Sequence, residues 1–220
     1  MPEFNGLHED MYRFFWELAF HNDPAFFEEN RARYVREVKD PLYALALNLL
    51  PTALEMDPNF TTKLSGIVSR IRRDTRYSHD KSPYRDHAWL GFRYPGNAVS
   101  ESFTPYIEFE RESYGYGMGM YAPDAKRMAD IRARILAAPE TFLSLAEDRA
   151  FAGKFTVEGE SFKRVRYPNE NPIIESFLNR RNLSFCYSSP ELKRTTRPEI
   201  LDECRAALQL MTPMYQFLTR

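Results

Sequence analysis

Residues 70–85 hold the densest collection of side chains able to do chemistry. Arg70, Arg72, Arg73, Arg76, Lys81 and Arg85 stand there against only Asp74 and Asp80, six cations to two carboxylates in a chain whose net charge is −1. Tyr77, Ser78 and Tyr84 are interleaved with them. A guanidinium presents a planar fork of donors that matches carboxylate and phosphate at two points, and an ammonium adds a compact point charge. These residue types at this density point to recognition of an oxyanion. Arg70, Arg73, Arg76 and Lys81 would hold a phosphate or carboxylate group, with Ser78 and the tyrosines orienting the remainder. The same residues also admit a structural reading. Asp74 bridging two arginines and Asp80 pairing with Lys81 would tie a loop onto a sheet, and breaking such a knot costs about 3–5 kcal/mol when it is buried. The two readings are compatible, because a knot can present whichever arginines it leaves over.

Neighbouring elements must hold this stretch in place. Residues 64–71 carry the β-branched Ile67, Val68 and Ile71 and read as a strand entering the cluster. If residues 70–76 stay extended, alternation puts Arg70, Arg72, Asp74 and Arg76 on one face and Ile71, Arg73 and Thr75 on the other. Pro83 then ends any regular element, since it lacks an N–H and biases Ser82 toward extended geometry.

Upstream, Leu7, Met11, Phe14, Phe15 and Leu18 recur at helical spacing over residues 6–20. Asp23-Pro24 is a helix start signal, and the second helix is expected to end before Asp40-Pro41. A third begins at Pro41, with Pro51 expected to kink or split it. Asn30, Arg31 and Arg33 are within reach of the basic stretch, although solvation is their simpler role.

Downstream the pattern changes to strands over 88–94, 103–110 and 115–121. Pro105 marks the second as an edge or a bulge. In it Tyr106, Glu108 and Glu110 share one face, opposite Ile107 and Phe109. In the third, Gly115, Gly117 and Gly119 share one face, which predicts close packing of a helix there, with Tyr114, Tyr116, Met118 and Met120 on the other. Beyond Asp124 come two helices, a hairpin in 154–165 around Glu158-Gly159, and a helix from Asn171-Pro172 to near Asn182. A strand over 183–187 and a last helix follow, the helix opened by a capping box at Thr196 and Glu199 and broken late by Pro213. The order predicts an α+β fold: a mainly antiparallel sheet with helices packed on it and an N-terminal helical segment. We read 1–220 as one domain, with helices in 1–58, a sheet-rich core holding the charged stretch in 60–121, and mixed elements in 122–220.

The candidate ligand-binding set is Arg70, Arg73, Asp74, Arg76, Ser78, Asp80, Lys81, Tyr84, Tyr106, Glu108 and Tyr121. Tyr84, Tyr106 or Tyr121 would pack on the body of a ligand. Glu108 and Glu110 are candidate general bases, with a solvated strand face as the plainer alternative. No cofactor or metal is implied. His8, His21, His79 and His87 have no ligand spacing, and there is no phosphate-binding loop at a strand-to-helix turn.

One family resemblance rests on the charged stretch. Arg70, Arg73, Asp74, Arg76, Tyr77, Ser78, Asp80, Lys81, Pro83 and Tyr84 resemble the signature R-x-x-R-D-x-R-[FY]-S-x-D-K-x-P-Y of a bacterial and fungal family catalogued as a domain of unknown function. Phe15, Trp16, Leu18 and His21 to Asp23 resemble its N-terminal pattern, as does the run holding Phe27, Asn30, Arg31 and Tyr34. Residues 117–121 with Ile131 and Arg132 extend the likeness. The resemblance locates a site without assigning it an activity, substrate or catalytic residue.

Composition narrows the classes of partner. The near-neutral charge argues against sustained non-specific nucleic-acid binding, which needs an extended basic face. An anionic small molecule is the favoured partner. The alternative is an interaction module, in which tyrosines beside arginines contact a protein or stack on single-stranded nucleic acid. Cys186 and Cys204 fit a reducing compartment, most simply as buried thiols. With no secretion signal at the N-terminus and no apolar run of bilayer length, a cytoplasmic, non-membrane protein is expected.

Overall fold

An aromatic N-terminal layer forms first. Helix α1 (Glu9–Phe20) buries Met11, Tyr12, Phe14, Phe15 and Leu18 along one side, the stripe its spacing predicts. Helix α2 (Pro24–Glu29) starts as expected, with the Asp23 carboxylate accepting from the backbone N–H groups of Ala25 and Phe26. The computed structural model describes residues 4–76, 80–97, 102–120, 122 and 124–220.

The expected break before Asp40-Pro41 does not occur. After α3 (Arg31–Tyr34), a π-helical turn (Val35–Lys39) leads directly into α4 (Asp40–Met56). A proline inside a helix lacks a donor and crowds the carbonyl four residues back. A wider turn immediately before Pro41 relieves both problems. Pro51 does not split α4 either, because Leu45, Ala46, Leu49, Ala53 and Met56 stay buried on both sides of it. Burial of that face outweighs one lost backbone hydrogen bond.

Among the described residues a five-stranded, fully antiparallel sheet follows in the order β1-β2-β3-β5-β4. Its strands are β1 (Ala88–Gly91), β2 (Thr104–Phe109), β3 (Tyr114–Gly119), β4 (Thr156–Glu158) and β5 (Ser184–Ser189). The α+β expectation holds in layout. Pro105 lies in an internal strand and not at an edge; it sits one residue from the strand start, and its carbonyl accepts from Phe92 N–H. The hairpin expected in 154–165 does not form. Gly159 turns at φ +130°, and β4 pairs with β5 instead.

Between β3 and β4 run α6 (Ala125–Ala137), α7 (Pro139–Ala146) and α8 (Arg149–Lys154), and α9 (Pro172–Leu178) precedes β5. α9 ends about four residues earlier than expected, because Asn179 leaves the helix and its side chain bonds the backbone of Arg166 and Tyr167. The final helix α10 (Ile200–Thr219) starts without the predicted capping box, since Thr196 donates its hydroxyl to the Lys193 carbonyl. It continues through Pro213, held by burial of Met214, Tyr215 and Leu218.

Helix α10 covers one face of the sheet. Tyr114 and Tyr116 project toward it, and both hydroxyls donate to Glu203 at 3.0 Å. The helix therefore packs on the tyrosine face of β3 and not on the glycine face, as the sequence had implied. What approaches the glycines is the sheet itself. A Cβ on Gly117 would stand 2.2 Å from the Phe185 carbonyl and 3.0 Å from the Tyr106 hydroxyl. The bare strand lets the Tyr106 ring lie flat and reach Cys186 Sγ at 3.2 Å. Cys186 and Cys204 are both free thiols.

Candidate functional site

The charged stretch is reached by a helical turn and not by the predicted strand. Residues 64–67 form α5 (Leu64–Ile67), which buries Ile67 against the core. Strand preference in β-branched residues yields to tertiary packing here. The chain then extends: Val68 bridges to Leu90, and Arg72 bridges to Tyr84. Arg73 N–H donates to the Pro83 carbonyl at 2.9 Å and Arg85 N–H to the Ile71 carbonyl at 2.8 Å. Residues 71–73 and 83–85 are thus tied as a short antiparallel pair. Asn22 closes the outer side of that pair, accepting from Tyr84 N–H at 2.9 Å and donating to its carbonyl at 3.0 Å. The Tyr84 ring is fully buried, stacked on Phe27 with centroids 4.3 Å apart.

The predicted alternation is present along this segment. Arg70, Arg72, Asp74 and Arg76 are exposed, while Ile71, Arg73 and Thr75 are half-buried. The two faces have different fates. On the inner face Arg73 pairs with Asp80 at 2.8 Å and with Asp86 at 3.7 Å. Asp86 also faces Arg111 at 3.4 Å and His87 at 3.3 Å. Asp80 accepts from Ser82 N–H, and Lys81 donates to the Thr75 carbonyl at 2.8 Å. The expected Asp80–Lys81 pair is therefore replaced by Asp80–Arg73. Asp74 does not bridge two arginines; it takes Arg76 at two points, 3.0 and 2.7 Å. The Arg76 hydrogen bond is the main reason the Asp74 carboxyl titrates at about 2. Arg73, Asp74, Arg76, Asp80 and Lys81 thus all have partners within the protein.

On the outer face, charge is left over. Among the described residues neither Arg70 nor Arg72 has a hydrogen-bond or ion-pair partner for its side chain, and the Arg72 guanidinium lies 5.6 Å from the Tyr84 ring centroid. Both line a hollow of about 390 Å³, together with Lys63, Arg85, Arg93, Trp89 and Asp74. Among the described residues five cations face one carboxylate there, and that carboxylate is held by Arg76. Arg85 donates to the carbonyls of Arg70 and Arg72 at 2.9 and 2.6 Å and packs over Trp89 at 4.9 Å. Burial, then the charge of Arg70, lowers the pKa of Arg93. Lys63 and Arg93 were not singled out from the sequence. The available signal for Arg93 was its place two residues beyond Gly91, continuing the alternation that sets Trp89 and Gly91 on one face.

Tyr106 and Glu108 lie apart from the arginine knot, on the sheet face opposite α10. Glu108 pairs directly with Trp89 across the β1–β2 ladder, so this face begins where the hollow ends. Burial, then the nearby Glu110 and Glu158, raises the Glu108 carboxyl to about 7. Burial also pushes the Cys186 thiol up to about 11, above the range in which it is a ready nucleophile. Ser78 and Tyr121 lie outside the described residues. Among the described residues, no group of His, Cys, Asp and Glu side chains is placed to hold a metal ion, and no helix is long and apolar enough to cross a membrane.

The fold and the site define an α+β protein built around an arginine-rich extended segment. The chain belongs to the family described as conserved hypothetical protein DUF2461, whose model matches residues 10–217. Comparison with curated proteins and with solved structures gave no match.

Proposed function

We propose that the protein binds an anionic small molecule, carrying phosphate or carboxylate, in the hollow lined by Arg70 and Arg72. The observation behind this reading is that ion pairing within residues 70–86 leaves two arginines over. Arg73 on the inner face pairs with Asp80 and Asp86, and Asp74 and Arg76 on the outer face pair with each other, whereas Arg70 and Arg72, without partners among the described residues, stand beside Lys63, Arg85 and Arg93. The charged stretch then does two jobs, with Arg73, Asp74, Arg76, Asp80 and Lys81 shaping the loop and Arg70, together with Arg72 beside it, meeting the ligand. A hollow of this size falls at the small end of the range for small-molecule sites, ~300–1,000 Å³.

Base stacking has less support. Tyr84 is buried, and the exposed side of Trp89 is taken by Arg85 and His87. The aromatic rings here hold cations in place. A thermal-shift series with inorganic phosphate, sugar phosphates and di- and tricarboxylates at low ionic strength tests the proposal. A ligand at twenty times its Kd should add about 1.8 kcal/mol of stability. For a chain of this length that is a rise of roughly 4–7 °C. No rise with any anion would refute the reading.

A further inference from the structure

A second hollow of about 390 Å³ adjoins the first and shares with it Ser65, Val68, Ser69, Arg70 and Arg72. Its far side carries Arg31 and Lys39, with Phe27, Tyr34 and Tyr43, and among the described residues no carboxylate lines it. Arg31 is oriented by a two-point pair with Glu28, and the Lys39 ammonium sits 5.5 Å from the Tyr43 ring centroid. Tyr84 lies beneath this side, stacked on Phe27 and under the Arg72 guanidinium, and its buried hydroxyl has no hydrogen-bond partner among the described residues. Arg70 and Arg72 therefore form a ridge with a cationic hollow on either side.

We propose that the ligand is a small molecule carrying two phosphate groups, one in each hollow, with the Arg70–Arg72 ridge between them. A single oxyanion would use one hollow and leave the other, with its own cationic side chains, without a ligand group. Two such groups on one scaffold neutralise both, and the second binds at the high effective concentration set by the first. This inference rests on the anion-site reading above and adds to it the class of ligand. A sugar and a nucleoside offer the same paired phosphates, so both scaffolds are tested.

The experiment is isothermal titration at low salt with two matched pairs: fructose 6-phosphate against fructose 1,6-bisphosphate, and adenosine 5′-monophosphate against adenosine 3′,5′-bisphosphate. At least one bisphosphate should bind tenfold or more tightly than its monophosphate. In Lys39→Gln and in Lys63→Gln alike that advantage should fall to twofold or less, since each removes a cation from one of the two hollows. Circular dichroism confirms that each variant is folded. Equal binding of mono- and bisphosphates in both pairs overturns the two-hollow inference and leaves the single anion site standing. Absence of binding by all four overturns both. Affinity that rises steadily with the length of an added oligonucleotide, past either bisphosphate, overturns the small-molecule assignment.

Discussion

Replacing Glu108 by Gln should change how stability depends on pH, by an amount that follows from where the carboxyl sits. It lies on the sheet face opposite α10, with Oε1 3.5 Å from where a Gly115 Cβ would stand, and has no hydrogen-bond partner among the described residues. Burial and the charges of Glu110 and Glu158 raise it from 4.5 to about 7. A carboxyl raised on folding binds its proton more tightly in the native state, so stability is fullest below 4.5 and falls as pH rises toward 7. At about 1.4 kcal/mol per unit the loss reaches roughly 3 kcal/mol or slightly more by pH 8. Gln cannot ionise and escapes that loss. Urea unfolding of both proteins from pH 4 to 8.5 measures the difference directly. Glu108→Gln should match the wild type near pH 4 and exceed it by up to about 3 kcal/mol at pH 8, most of the divergence falling between pH 4.5 and 7. A difference that stays constant with pH would show that Glu108 is solvated and that the face is more open than its packing implies.

Two further substitutions separate architecture from surplus charge. Arg73→Ala removes the partner of Asp80 and one of the partners of Asp86. Its side chain is only 20% exposed, so the cost should fall between those of surface and buried pairs, about 1–3 kcal/mol, or a melting temperature lower by roughly 2–12 °C. Gly117→Ala drives a methyl group into the Phe185 carbonyl and the Tyr106 ring and should cost at least about 1–3 kcal/mol, measured by chemical denaturation; a neutral result would mean that Tyr106 does not lie over β3.

The sequence disclosed those parts of the site that obey a short period. Alternation over residues 70–76 was readable because a strand sends successive side chains to opposite faces, and the exposure of Arg70, Arg72, Asp74 and Arg76 follows it. The stripe of α1 and the α+β layout were legible for the same reason. Pairing was not. Whether Asp80 meets Lys81 or Arg73 depends on how a loop folds back, and Asp86 was invisible as a partner because nothing local marks it. Lys39 and Lys63 come to the hollows through tertiary packing, from positions distant in the chain or on the far side of a turn. The helix breaks expected at Pro41, Pro51 and Pro213 do not occur: a wider turn accommodates the first, and buried helix faces outweigh the missing donor at the other two. The glycine face of β3 was assigned to a helix when the space was needed by Tyr106 of the adjacent strand.

The most direct test of the central claim is calorimetric titration of the best-binding anion into the wild type, the double variant Arg70→Gln, Arg72→Gln, and Arg76→Gln, at two salt concentrations. If Arg70 and Arg72 supply the contacts, their joint loss should weaken binding at least a hundredfold, about 3 kcal/mol, and flatten its salt dependence while leaving the melting temperature within 2 °C or so. Arg76→Gln, which alters an exposed Asp74 pair, should bind nearly as the wild type does. Undiminished binding by the double variant would contradict the account.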